Sequence, residues 1–174
     1  MEQWVEKRPA AIFGEGFHLR VIDGSTIQEP GATGSTWRVH YSIGLPSLYC
    51  DEVSVTSPKI GESFCRFAVH PGDVFLGDRN FGRRADIRHV VQKEGHVLVR
   101  INLTNLPLAD KDGSPFPLLE RLRTLKKTQL RDWDVWVPYE DFFLSGRVCA
   151  LKKSKEAAEN LRALKRNLST SPSR

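Results

Sequence analysis

The chain has 174 residues, 40% of them apolar and 27% charged, enough for one globular domain with a real core and short for two. No run approaches the roughly 20 uninterrupted apolar residues of a membrane span, and Met1-Glu2-Gln3-Trp4-Val5-Glu6-Lys7 lacks the apolar core of a secretory signal, so a cytoplasmic protein with no membrane partner is expected. The net charge is +5, yet residues 147–174 carry eight Lys and Arg against two Glu, leaving −1 for the rest, so any attraction to nucleic acid is concentrated in the tail.

In chain order, Phe17-His18-Leu19-Arg20-Val21-Ile22 alternates and then turns apolar, which predicts a strand ending at Asp23. Residues 29–35, Glu-Pro-Gly-Ala-Thr-Gly-Ser, are turn chemistry. Trp37, Val39, Tyr41 and Ile43 then alternate with Arg38, His40 and Ser42 at the period of a half-buried strand, and residues 51–56 suit an antiparallel neighbour. Phe64, Cys65, Phe67 and Ala68 predict a short helix over 62–69, stopped by His70-Pro71-Gly72. Residues 73–78, Asp-Val-Phe-Leu-Gly-Asp, predict a short buried strand that again ends in an aspartate. A helix over 83–93 should turn Ile87, Val90 and Val91 inward and stop at Gly95, and a strand should follow over 96–103.

Lys111-Asp112-Gly113-Ser114 is a turn, Trp133, Val135 and Val137 alternate once more, and residues 146–151 predict a last strand. In the tail, Ala157, Leu161, Leu164 and Leu168 share one helical face, while Lys155, Arg162 and Arg166 line another. The order implies an α/β or α+β arrangement on a mixed sheet. Cys50, Cys65 and Cys149 are odd in number and far apart, which predicts buried thiols rather than a disulfide frame. The five histidines form no close ligand pair.

Asp23 and Asp78 each terminate a short apolar strand, and in an open sheet functional groups gather outside the carboxyl ends of strands. Two carboxylates meeting there suit Mg²⁺, which takes one or two carboxylates together with waters and phosphate oxygens. The same residues also fit a plain turn after the first strand and a helix N-cap after the second.

The run Arg20-Val21-Ile22-Asp23-Gly24-Ser25-Thr26, followed by Gly31-Ala32-Thr33-Gly34-Ser35, resembles the first-aspartate region of insertion-sequence transposases of the IS-four family. His70-Pro71-Gly72-Asp73-Val74-Phe75-Leu76-Gly77-Asp78-Arg79-Asn80-Phe81-Gly82 resembles the second-aspartate motif of that family, and Val97-Leu98-Val99-Arg100-Ile101-Asn102 resembles the strand after it. The resemblance, from about Phe17 to about Lys155, implies a ribonuclease-H-like mixed sheet with flanking helices. It also implies an Asp-Asp-Glu triad working with Mg²⁺ (Mn²⁺ substituting) to cleave DNA at an element's ends and join it to a target, with a second copy of the chain on that DNA. On this reading residues 1–105 are the core carrying Asp23 and Asp78, 106–151 a strand-rich insertion, and 152–174 a basic helix and frayed tail. Trp133 or Trp136 would then either stack on a DNA base or pack in the core.

The family's glutamate lies in a signature of Tyr, two residues, Arg, three residues, Glu, six residues, Lys, and no tyrosine follows Tyr139. Lys152, Lys155, Glu159 and Arg166 keep that spacing, which makes Glu159 a candidate third ligand; otherwise the chain stops before its glutamate, leaving the core incomplete at the C-terminus. Only 22 residues precede Asp23, where the family carries a helical DNA-end-binding region, so truncation at both ends is expected. Arg79, Lys152, Lys155, Arg162 and Arg166 are candidate DNA contacts. The alternative reading is a non-catalytic DNA-binding remnant acting through the basic C-terminal helix.

Overall fold

A computed structural model of the chain describes residues 16–126 and 130–160. They form two compact units, divided between Pro107 and Leu108. Leu161, Arg162, Leu164, Arg166 and Leu168 of the expected basic helix lie outside the described residues. Among those described, no helix is long and apolar enough to cross a membrane.

The first unit is a mixed α/β structure on one five-stranded sheet. Strands β1 (His18–Ile27), β2 (Trp37–Leu45), β3 (Tyr49–Thr56), β4 (Asp73–Gly77) and β5 (His96–Val99) lie in the order β3-β2-β1-β4-β5. β1 pairs antiparallel with β2 and parallel with β4, β2 pairs antiparallel with β3, and β5 extends the parallel half. As the central strand, β1 turns Arg20, Ile22 and Gly24 to one face and Leu19, Val21 and Asp23 to the other.

The Ile22 face is closed by a 3-10 turn, Phe64–Arg66, and by helix α1 (Arg84–Val91). Ile22, Phe64, Phe67, Phe75, Phe81 and Val90 form the core there, with Val69, Val97 and Val99 packed against it. Phe64 stacks on Phe81 at 4.7 Å and meets Phe75 edge-on at 5.4 Å. Gly77 permits that packing: a Cβ there would lie 2.8 Å from the Phe64 ring. The opposite face carries a rung of Ile43, Val21, Leu76 and Leu98 across four strands. On that face Val53, Val55 and Leu98 are about 60% exposed.

Several elements depart from the sequence reading. The expected helix over 62–69 shrinks to Phe64–Arg66, because Phe64 and Phe67, three apart, both drive into the core and Phe67 is already extended. β1 does not end at Asp23: β2 goes on pairing with it as far as Ile27 opposite Trp37, after the pairing with β4 stops at Val21 and Leu76. β5 stops at Val99, where β4 runs out of partners for it. In α1, Val90 is buried, but Val91 points outward and Asp86 is 1% exposed. Asp86 accepts from the Ser63 hydroxyl and from Phe64 N (2.7 Å) and pairs with Arg83 Nε at 2.6 Å, so it ties the 3-10 turn to α1. Cys50, Cys65 and Cys149 are free but exposed, not buried.

In the second unit, β6 (Leu130–Tyr139) and β7 (Phe142–Leu151) form an antiparallel pair, β7 beginning earlier than expected, and helix α2 (Leu118–Arg123) has no clear periodic signal. Ala109 bridges Trp136, and Leu108, Phe116, Leu118, Leu125, Val135, Val137, Leu144 and Val148 are buried. Trp133 and Trp136 are half-buried, Trp133 lying edge-on to Phe116 at 6.3 Å.

The first sheet is tied together at one end by Arg20, which is 6% exposed. Its Nη1 reaches Asp73 Oδ2 (3.1 Å) and Ala68 O (2.7 Å), its Nη2 Glu52 Oε2 (3.1 Å), and its Nε lies 3.0 Å from both Ser42 Oγ and Asp51 Oδ2. A bulge where β2 passes from Ser42 to Ile43 skips Asp51, which lets the consecutive Asp51 and Glu52 both turn to the guanidinium. Arg20→Met should destabilise the chain by about 3–5 kcal/mol, because it strands Asp73, 3% exposed, without its cation. Urea denaturation with the native slope and an unshifted midpoint would refute this.

Candidate functional site

Asp23 and Asp78 stand at the other end of the sheet. β1 and β4 run parallel in register from His18 with Asp73 to Val21 with Leu76. Each aspartate lies two positions past that last pair, Asp23 still within β1 and Asp78 one residue beyond the end of β4. Both residues are exposed. Asp23 Oδ1 accepts from Gly24 N (2.8 Å) and its Oδ2 from the Tyr41 hydroxyl (3.3 Å), while Asp78 Oδ1 accepts from Asn80 N (2.7 Å). Neither carboxylate forms an ion pair among the described residues. Two solvent-facing carboxylates with spare lone pairs are a donor set suited to a hard divalent ion that keeps its waters. Among the described residues, no three His, Cys, Asp or Glu gather into a metal cluster.

The other expected residues fall as follows. Arg79 is exposed beside Asp78. Lys152 is exposed, and its Nζ donates to Leu125 O at 2.7 Å. Lys155 and Glu159 are exposed in the second unit on helical residues 155–160, which Ser154 caps by accepting from Ala157 N (3.1 Å).

Tyr41 and His40 were missed as site residues, because strand alternation marks Tyr41 only as half-buried and says nothing of its partner. The register supplies that information: Tyr41 is opposite Asp23, and His40 is opposite Gly24 on the other face. His40 is 1% exposed, with Nε2 2.9 Å from Thr56 Oγ1. Thr56 gives its one hydroxyl proton to Ser57 O (3.1 Å), so its oxygen accepts and His40 Nε2 carries the ring proton. Burial, then Arg66, then Arg38 hold the His40 pKa below the ordinary imidazole value.

Over 119 residues the chain is 29% identical to the transposase for insertion sequence element IS421 of Escherichia coli, covering 67% of this chain and 32% of that protein. The InsL protein of insertion sequence element IS186A of Escherichia coli strain K12 shows the same identity and coverage. The similarity relates the chain to insertion-sequence transposases, and the matched region spans about a third of their length. No family model and no solved structure matches it.

Two outcomes follow from this end of the sheet. Asp23→Asn and Asp78→Asn should each leave the unfolding free energy within about 0.5 kcal/mol of the parent, since neither side chain is buried or ion-paired; a large loss in urea would assign them to the fold instead. Because His40 is held neutral, the unfolded chain binds its proton more readily, so this contribution is complete above about pH 6.5 and declines as pH falls below it. Between about pH 7.5 and about pH 5.5 the parent should lose more stability than His40→Gln; parallel losses would contradict the assignment.

Proposed function

We propose that this chain is part of an insertion-sequence DNA transposase whose first unit is a ribonuclease-H-like catalytic core, with Asp23 and Asp78 as two ligands of catalytic Mg²⁺, Mn²⁺ substituting. The observation that carries this reading is that the two aspartates, both exposed and without an ion pair among the described residues, each follow by two positions the last pair of the adjacent parallel strands β1 and β4. The similarity to the transposase of IS421 supports the same conclusion.

Each residue has a task on this reading. Asp23 presents its oxygens from within β1 and Asp78 from the residue just after β4, which would fix where a cation and its phosphodiester sit. Tyr41 donates to Asp23 Oδ2 and restrains that carboxylate. Bound there, Mg²⁺ supplies Lewis-acid stabilisation of charge on phosphodiester oxygens. Arg79 and Lys155 offer exposed guanidinium and ammonium groups to DNA phosphates, and Arg162 and Arg166 would join them. Glu159 is the candidate third carboxylate.

Mn²⁺ should raise the unfolding midpoint of the purified chain by mass action, and Asp23→Asn and Asp78→Asn should each remove the rise. In a supercoiled-plasmid assay with Mn²⁺, the same variants should lose at least about 100-fold in nicking, and loss in Glu159→Gln would assign the third ligand. A midpoint rise or nicking rate unchanged in both aspartate variants would sink the reading.

A further inference from the structure

Among the described residues, β3 is one edge of the five-stranded sheet and pairs only with β2. An edge strand carries outward-facing backbone N–H and C=O groups without partners, and folds protect it by keeping it short or by adding a Lys, a Pro or a bulge. The opposite edge, β5, is protected by its length of four residues. β3 has eight residues and contains no Lys, Arg or Pro. Its two acids, Asp51 and Glu52, turn to Arg20 (3.0 and 3.1 Å) beside the bulge, so these devices guard only the half up to Glu52.

The half from Val53 to Thr56 has no such guard. Val53 and Val55 share the open face of the sheet, 61% and 60% exposed, and Ser54 between them is exposed as well. A strand that offers free backbone groups and two uncovered β-branched side chains on one face is a template for another strand.

We infer that this half of β3 pairs with the same half of a second copy of the chain, antiparallel about a two-fold axis at Ser54. The side chains choose that occupant and that register. Val53 then faces Val55 of the second copy and Val55 faces its Val53, while Glu52 faces the uncharged Thr56. Ser57 falls opposite Asp51 of the second copy, which brings Lys59, exposed and without an ion pair among the described residues, towards a carboxylate. An axis at Glu52 would instead set like charges against each other, and one at Val53 would set Asp51 against Val55. Paired positions of an antiparallel sheet point to one side. The joined sheet therefore carries both open faces, with Asp23 and Tyr41 of each copy, on the same side. The argument uses strand geometry and charge alone and does not depend on the transposase reading.

The test is sedimentation velocity on the full chain without DNA, in EDTA and a thiol reductant so that neither metal nor the exposed Cys50 links copies. A pairing this short belongs to the weak class that buries less than about 1,200 Å², so loading concentrations should run from about 1 to about 200 µM. The parent should pass from monomer towards dimer across that range. Val53→Lys and Val55→Glu, both at exposed positions, should each weaken association by about 10-fold, since each change occurs twice in a two-fold dimer. An equimolar mixture of the two variants should regain association, because the new ammonium of one copy then faces the new carboxylate of the other; misfolded chains would not recover on mixing. A parent that stays monomeric throughout overturns the inference, as does a dimer that neither variant weakens. Weakening without recovery in the mixture overturns the register about Ser54.

Discussion

The first unit depends on a single buried cation shared among three carboxylates. Arg20 sits near the start of the central strand, and its partners come from β2, β3, β4 and the segment before β4, between 22 and 53 residues away. Removing a guanidinium from water is unfavourable until those partners are in place. The carboxylates are satisfied in turn: Glu52 also accepts from Ala68 N (3.1 Å) and Asp73 from His70 N (2.9 Å). Any arrangement that lacks one strand leaves a charge buried and unmatched, so the network specifies the strand order as well as stabilising it.

The same sheet treats its two ends in opposite ways. At the end where β1 and β4 begin, Asp51, Glu52 and the buried Asp73 are paired with Arg20 and serve the fold. Where those strands finish their pairing, Asp23 and Asp78 are exposed and held only by local backbone donors and one tyrosine. Charged groups left open to solvent at the ends of a strand pairing contribute little to packing. Their positions follow from β1 and from the end of β4, whose geometry is decided elsewhere.

Much of the sheet was legible because its signals are local. The alternation from Trp37 to Ile43, the apolar run into Asp23 and the run from Asp73 to Gly77 each identify a strand. What the alternation could not carry was register, a relation between distant segments, so the partnership of Tyr41 with Asp23 and of His40 with Gly24 was invisible. Nothing local marks Arg20 as buried, because what makes its burial tolerable is a bulge on β3 and three remote acids. Asp86 is a similar case: a buried carboxylate looks wrong on a helix until Ser63, Phe64 and Arg83 are seen around it. The cysteines were read as buried thiols, but each is exposed. For Lys152, charge suggested a DNA contact; what alternation could not show is that its long stem also lets the ammonium reach the Leu125 carbonyl.

The separation of the two ends has a consequence for how such a gene decays. A copy no longer selected for chemistry, but still purged when its product unfolds and aggregates, would retain Arg20, Asp73 and Asp86. Substitutions at Asp23 and Asp78 would pass unopposed, since no packing depends on them. Among silent descendants of one parental element, the buried trio would therefore age slowly and the exposed pair quickly. If Asp23 and Asp78 carry the proposed chemistry, the ratio of change at the two sets would date the loss of activity separately from the loss of the protein.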